Sequence, residues 1–332
     1  MMQAARLPMP LLGVLLFAFL MLRMPSASVH SRMNLGYVWM NHAVARNDAQ
    51  AQSAALRIFE QLADSETEHS REARRTVGHL YLLQHNEEKA IATWQAMNEA
   101  RDMVGEMHGW ANKSKREGND AAALQWYWRA IALAAEQADA WYFAAQLLET
   151  QGDVTVAHEY YQSGLNAGGF ERVGSSDFAL RLGILAHARS DWLEAQRWFD
   201  QALAANDFRV ADRAWHAHYL RGETWRLRDE PALARLDYQW VVTNNPNHYW
   251  AHIYLAQMVW LLDADFDQAD ALLAAAAAID PAQKWAYRVR GDLYRSNQRV
   301  DEAIDFYRHA LTIDPQDRLA RRYLEELEPD DH

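Results

Sequence analysis

The sequence predicts an all-α fold, a solenoid made by stacking similar helix pairs. The main observation is a pattern of small and aromatic residues that occurs eight times with a period of about thirty-four residues. Pro246, Pro281 and Pro315 mark the ends of three successive units at this period. The composition agrees, because half of the 332 residues are apolar while only 14 are glycine and 8 are proline, which favours helix.

The last unit shows the internal pattern most clearly. Tyr287, Gly291 and Tyr294 lie on its first predicted helix, and Ala303 and Tyr307 lie on its second. Spacings of three and four residues place each set on one face of its helix. The small residues allow the two helices to approach closely, and the aromatic residues fill the space toward the neighbouring pair. Each unit is therefore expected to be a helix, a turn and a second helix.

These residues resemble the tetratricopeptide repeat. The residues that carry the resemblance in the earlier units are Trp39, Ala43, Ala55 and Phe59; Gly78, Tyr81, Ala90 and Trp94; Trp110, Ala111, Ala123, Tyr127 and Ala130; Trp141, Ala145, Leu148, Ala157, Tyr161 and Gly164; Gly183, Ala195, Phe199 and Ala202; and Trp215, Gly222, Trp225, Ala234 and Tyr238. The resemblance implies a right-handed superhelical solenoid of about eight repeats over residues 33–315. A cap helix and an acidic tail are expected at 316–332.

The seventh unit departs from the pattern. Ile253, Trp260, Ala269 and Ala276 fit, but Gln257 stands where the other units carry a small residue. We expect the two helices of this unit to pack less closely than the others.

Two stretches interrupt the period, on either side of the fifth unit. Residues 167–175 form a glycine-rich insert, and residues 206–212 lengthen the next junction. Extra residues at such junctions form loops, which are either neutral connections or parts of a functional face.

The N-terminal residues 1–32 predict a membrane anchor or a signal segment. Residues 7–22 form an apolar run bounded by Arg6 and Arg23. The run is shorter than the roughly twenty residues of a spanning helix and longer than a secretory core of roughly seven to fifteen. We favour an uncleaved anchor over a cleaved signal peptide, with the repeats outside the cytoplasm.

The composition argues against several classes of function. The net charge of -12 disfavours nucleic-acid binding, and the absence of cysteine excludes disulfides and thiolate chemistry. Residues 263–267 resemble the start of a calcium loop, but Gln268 and Ala274 stand where that loop needs glycine and glutamate. The fourteen histidines show no metal-ligand spacing. No nucleophile, base and oxyanion donor can be assigned together, so we expect neither a cofactor nor an enzyme.

The first helices of the later units carry the candidate binding residues. By register, the resemblance places the following side chains in the concave groove: Tyr142, Gln146, His187, His216, Tyr219, Glu223, Tyr254, Met258, Trp285, Arg288 and Asp292. This composition suits peptide capture. The basic and asparagine clamp of chaperone-docking relatives is absent, because the early groove positions read Arg75, His79, Asn112, Asp139 and Phe143.

The sequence therefore predicts a membrane-anchored scaffold that binds a protein partner through its groove. Two alternatives remain open. The chain is a structural subunit of a multi-protein membrane complex, or it is an accessory factor for an envelope glycan or secretion enzyme.

Overall fold

A computed structural model describes residues 28–46, 48–65, 67, 69–96, 100–209 and 213–328. Within these ranges there are seventeen α-helices and no strand, which confirms the predicted fold class. The apolar run 7–22 lies outside the described residues. None of the described helices combines the length and the apolar character needed to cross a membrane.

Sixteen of these helices form eight pairs, each made of an A helix followed by a B helix. The pairs are α1 (Val29–Arg46) with α2 (Ala49–Ala63), α3 (Ser70–Leu83) with α4 (Glu87–Gln95), α5 (Ala100–Arg116) with α6 (Asp120–Leu133), α7 (Ala138–Thr150) with α8 (Val154–Ala167), α9 (Ser175–Ala188) with α10 (Trp192–Ala205), α11 (Arg213–Leu227) with α12 (Pro231–Asn244), α13 (Tyr249–Asp263) with α14 (Phe266–Ile279), and α15 (Lys284–Ser296) with α16 (Val300–Ile313). The last helix, α17 (Arg318–Leu327), packs on α16.

The turn inside a pair provides a common reference for the repeat. From the second pair to the eighth, this turn contains one residue with positive φ, for example Asp229 at 60° and Gln298 at 60°. In six of these seven pairs, a glycine or alanine lies seven residues before the turn residue, an alanine five after it and an aromatic residue nine after it. In the eighth pair a Cβ on Gly291 would lie 2.7 Å from the ring of Tyr307, so only glycine allows this approach. The seventh pair is the exception.

Most B helices begin at a side chain that accepts hydrogen bonds from the first turn. Asn86, Asn119, Asp191 and Asp265 each accept a hydrogen bond from the backbone N–H three residues further on. α12 begins with Pro231, which has no backbone N–H that needs an acceptor. The side-chain caps stabilise the starts of the B helices that carry them.

The described residues divide into two compact units, the first ending at Ala140 and the second beginning at Trp141. The core of the first unit contains Phe59, Trp94 and Met103, all fully buried. In the second unit, Phe199 and Tyr238 hold the corresponding positions in separate clusters. All the predicted groove residues from Tyr142 onward lie in the second unit.

The two inserts beside the fifth pair contact each other. Asp207 accepts hydrogen bonds from the backbone N–H groups of Ser175, at 2.9 Å, and Ser176, at 2.7 Å. Asp177 accepts from the N–H of Gly174 at 2.8 Å and of Arg209 at 3.1 Å. Burial alone would raise the pKa of Asp207, but these hydrogen bonds lower it below its usual value. The inserts therefore form one hydrogen-bonded clasp at the start of α9.

Candidate functional site: the A-helix face of the second unit

The predicted site residues lie on five A helices of the second unit. Tyr142 and Gln146 are on α7, and His187 is on α9. The remaining residues are His216, Tyr219 and Glu223 on α11, Tyr254 and Met258 on α13, and Trp285, Arg288 and Asp292 on α15. We call this row of side chains the A-helix face. Contacts between neighbouring A helices bring most of its members together.

Aromatic rings and arginines form the later part of the A-helix face. The ring centroids of Tyr219 and Tyr254 are 6.5 Å apart, and Trp250 stacks on Tyr254 at 5.9 Å. Trp250 also lies 5.7 Å from Trp285, which joins α13 to α15. The guanidinium of Arg288 lies 4.3 Å from the centre of the Trp285 ring, within cation–π distance. The result is a continuous aromatic strip over three A helices.

Trp250 belongs to this strip although the register prediction did not include it. Trp250 follows the N-cap residue of α13, His248, by two positions, as Trp285 follows Gln283, the N-cap residue of α15. Aligning the two helices at their N-caps places the tryptophans at equivalent positions. α13 is two residues longer than α15, 15 against 13, so an alignment of the two helices from the turn does not pair these tryptophans.

A partly buried ion pair fixes Arg226 beside the strip. Arg226 donates a hydrogen bond to Glu223 at 3.0 Å, and the hydroxyl of Tyr238 also donates to Glu223. The hydrogen bond to Glu223 raises the pKa of Arg226 despite partial burial, so this group stays charged. Held in this way, the Arg226 guanidinium lies 4.9 Å from the centre of the Tyr254 ring. Neither the arginine nor the ring has to reorient before a ligand binds.

Two buried atoms of the A-helix face, Nε2 of His187 and Nε of Arg288, have no hydrogen-bond partner within the described part of the chain. The hydroxyls of Tyr219 and Tyr254 and the amide of Gln146 also bond to no other described residue, and their side chains are only partly buried, so water reaches these groups. Burial raises the pKa of both tyrosines and lowers that of His187, which is therefore neutral at pH 7. Buried polar atoms are usually hydrogen-bonded, so His187 and Arg288 have unused hydrogen-bonding capacity.

Near α9 the A-helix face meets two further ion pairs. Arg181 pairs with Glu149, which also accepts a hydrogen bond from the hydroxyl of Tyr161 at 3.0 Å. Arg213 pairs with the fully buried Asp177 of the clasp at 3.0 Å. His216 lies beside both arginines. Its pKa is lowered, by burial first and then by these two positive charges, so it is neutral at pH 7.

Tyr142 does not belong to the exposed part of the A-helix face. It is only 1% exposed, because Phe178 and Tyr161 cover its ring at centroid distances of 5.0 and 5.5 Å. Its hydroxyl accepts a hydrogen bond from Arg213. The register correctly placed Tyr142 on an A helix but could not show that Phe178 of the next A helix would cover it. Tyr142 therefore serves packing.

The aspartates of residues 263–267 have structural roles. Asp265 caps α14 by accepting from the N–H of Gln268 at 3.0 Å, and Asp263 pairs with Arg235 at 2.5 Å. Within the described residues no three histidine, aspartate or glutamate side chains are grouped so that they could hold a metal ion.

Comparisons with known proteins agree with this architecture. The family model "Tetratricopeptide repeat" matches residues 285–317, which span the eighth pair. YrrB, described as a tetratricopeptide repeat protein with an unusual peptide-binding site, is 21% identical. The match covers 59% of this chain and 96% of YrrB, with a TM-score of 0.53. PilF of Pseudomonas aeruginosa is 14% identical over 68% of this chain and 99% of its own, with a TM-score of 0.54. No curated protein sequence matches this chain.

The repeat match over residues 285–317 and these structural likenesses identify the fold of this chain as a tetratricopeptide solenoid. Solenoids of stacked repeats present extended surfaces that are commonly used for binding.

Proposed function

We propose that this chain is a non-catalytic scaffold that holds a protein partner through an extended segment lying on the A-helix face of the second unit. The observation that carries the proposal is the continuous aromatic strip, beside which two buried polar atoms, Nε2 of His187 and Nε of Arg288, have no partner in the described residues. An extended peptide brings unpaired backbone N–H and C=O groups, and these match hydroxyl, amide and imidazole groups in chemistry.

The aromatic strip would supply most of the binding free energy. Tryptophan, tyrosine and arginine dominate binding hot spots because they bury a large area at a small cost in side-chain entropy. Arg226 and Arg288 are already stacked on rings, so part of that cost is met before binding.

In this proposal the apolar run 7–22 attaches the scaffold to a membrane, with the repeats outside the cytoplasm. The apolar character of the run supports this part of the proposal, and the flanking Arg6 and Arg23 can extend its reach by snorkelling. Copurification of the full chain from detergent-solubilised membranes would identify the partner and test the attachment together.

The binding surface is tested by removing only the unpartnered hydroxyls. Tyr219→Phe and Tyr254→Phe keep the rings, so the free energy of unfolding should change by less than about 0.5 kcal/mol. Binding of the copurified partner should weaken, by about 1 kcal/mol for each hydrogen bond lost. Tyr238→Phe is the matched control, because its hydroxyl already bonds to Glu223. That change should reduce stability.

A stronger variant removes the aromatic anchors. Tyr254→Ala with Trp285→Ala should weaken binding by about 2 kcal/mol or more, roughly thirtyfold. Both rings are half-buried, so stability should also fall, and binding is measured where both proteins remain folded. Arg308→Ala on α16, whose side chain is 55% exposed, is the surface control. If the double variant stays folded and binds the partner normally, the partner uses another surface, such as the insert around Phe170.

A further inference from the structure

The seventh pair lacks the small residue and the aromatic ring that the second to sixth and eighth pairs carry at matching positions on their two helices. Relative to the positive-φ residue of the turn, Gln257 stands at the position of Gly291, Leu273 at that of Tyr307 and Met258 at that of Asp292. In the eighth pair the Tyr307 ring packs against Gly291, and its hydroxyl donates to Asp292 at 2.7 Å. The seventh pair has neither the ring nor this hydrogen bond.

A cavity of about 540 Å³ lies at this place, between α13, α14 and α15. Its walls are mainly apolar and include Ala256, Met258, Ala269, Leu273, Val289 and Leu293. Ligand pockets in proteins commonly have volumes of about 300–1,000 Å³. Leu273, which stands where the other pairs carry the aromatic ring, forms part of the wall.

We propose that this cavity is the anchor site for one large apolar side chain, aromatic or leucine-like, of the segment that binds to the A-helix face. The inference rests on the proposed function and adds a sequence requirement to it. The cavity is continuous with that face, because Met258 and Asp292 belong to both. A protein partner that lies along the face therefore passes the opening.

Polar groups at the edge of the cavity can hydrogen-bond to the peptide backbone on either side of such an anchor side chain. The amide of Gln257 is half-buried and has no hydrogen-bond partner in the described ranges, so it can both donate to and accept from a peptide group. Asp292 uses one oxygen to accept from Tyr307, which leaves the other for an incoming N–H. The apolar walls disfavour a charged side chain, because burial without a partner is costly.

The cavity can be tested without knowing the partner, with N-acetyl-L-tryptophanamide as the probe. In the full chain carrying ¹³C-labelled methyl groups, the probe should shift the signals of Met258, Leu273 and Leu293. Leu273→Phe restores the ring present in the other pairs and should weaken probe binding at least tenfold. Val289→Phe fills the cavity from α15 and replaces Leu273→Phe if that variant does not fold.

Two controls separate the possible results. Leu236→Phe adds the same ring on α12 at a side chain that is 67% exposed, and probe binding should be unchanged. Trp285→Ala, outside the cavity, should leave the methyl shifts in place. If none of the three methyl signals moves, or if they move equally in the folded Leu273→Phe or Val289→Phe protein, the anchor site is wrong.

Measurements of partner binding distinguish failure of the cavity proposal from failure of the proposed function. If both ideas hold, Leu273→Phe and the double variant at Tyr254 and Trp285 each weaken partner binding. If only the double variant loses binding, the A-helix face remains the proposed binding surface and the cavity is not an anchor site. If only Leu273→Phe loses binding, the cavity remains the proposed anchor site and the A-helix face is not the binding surface.

Discussion

The seventh and eighth helix pairs share one backbone arrangement but pack differently. In the eighth pair Tyr307 packs against Gly291 and donates to Asp292, whereas Gln257 and Leu273 of the seventh pair line a cavity of about 540 Å³. Both pairs keep the buried alanine five residues after the turn. The comparison shows that the repeat keeps this alanine while the small and aromatic positions change.

The largest expected effect comes from adding a side chain at Gly291, where α15 and α16 approach closely. A Cβ on Gly291 would already lie 2.7 Å from the Tyr307 ring, so Gly291→Leu should lower the free energy of unfolding by more than about 3 kcal/mol. The matched change Gln257→Leu in the seventh pair should cost less than about 1 kcal/mol, because the cavity can accept the side chain. Urea unfolding of both variants gives the two values. Equal losses would mean that the two pairs do not differ as described.

The second largest effect is expected when the eighth pair receives leucine in place of its aromatic ring, as in the seventh pair. Tyr307→Leu removes a fully buried ring and the hydroxyl that donates to Asp292. We expect a loss of about 2 kcal/mol or more, since both a cavity and an unpaired carboxylate oxygen remain. Differential scanning calorimetry should show a lower Tm. The variant should also acquire a second binding site for N-acetyl-L-tryptophanamide, and unchanged stability would contradict the role assigned to Tyr307.

Much of the fold could be predicted because its signals are local. Spacings of three and four residues around Gly222 and Ala234 indicate the facing helix surfaces, and the eight pairs agree with them. Gln257 was also recognisable as a departure. The cavity was not predictable, because it depends on side chains from three helices.

The clasp between the two inserts is a second feature that local sequence patterns do not predict. Glycines indicate a loop at 167–175, and Gly168 and Gly169 do adopt positive φ. Asp207, however, bonds to Ser175 over 32 positions in the sequence. Nothing within either insert indicates this pairing. Tyr142 is similar, since its burial is decided by Phe178 on another helix.

The smallest effect concerns the single carboxylate that distinguishes the two pairs at the edge of the cavity. Burial raises the pKa of Asp292 above its ordinary 3.8, although Tyr307 and nearby arginines oppose the shift. A carboxyl group with a raised pKa contributes stability that is complete below the unfolded pKa and is lost as pH rises through the folded pKa. At pH 7 the charged form therefore costs stability. Asp292→Asn removes the charge and keeps an oxygen for the Tyr307 hydroxyl, so it should stabilise the protein at pH 7 by less than about 1 kcal/mol.

The pH dependence separates this charge effect from a change in packing. The advantage of Asp292→Asn should shrink as the pH is lowered toward 3.8, because wild-type Asp292 then becomes protonated and neutral as well. Urea unfolding at several pH values between 7 and 4 measures the difference. Asp305→Asn on the exposed side of α16 is the matched control and should show no such trend. An advantage that stays constant over this range would mean that Asp292 is not destabilised by its burial, and that the seventh and eighth pairs differ in packing alone.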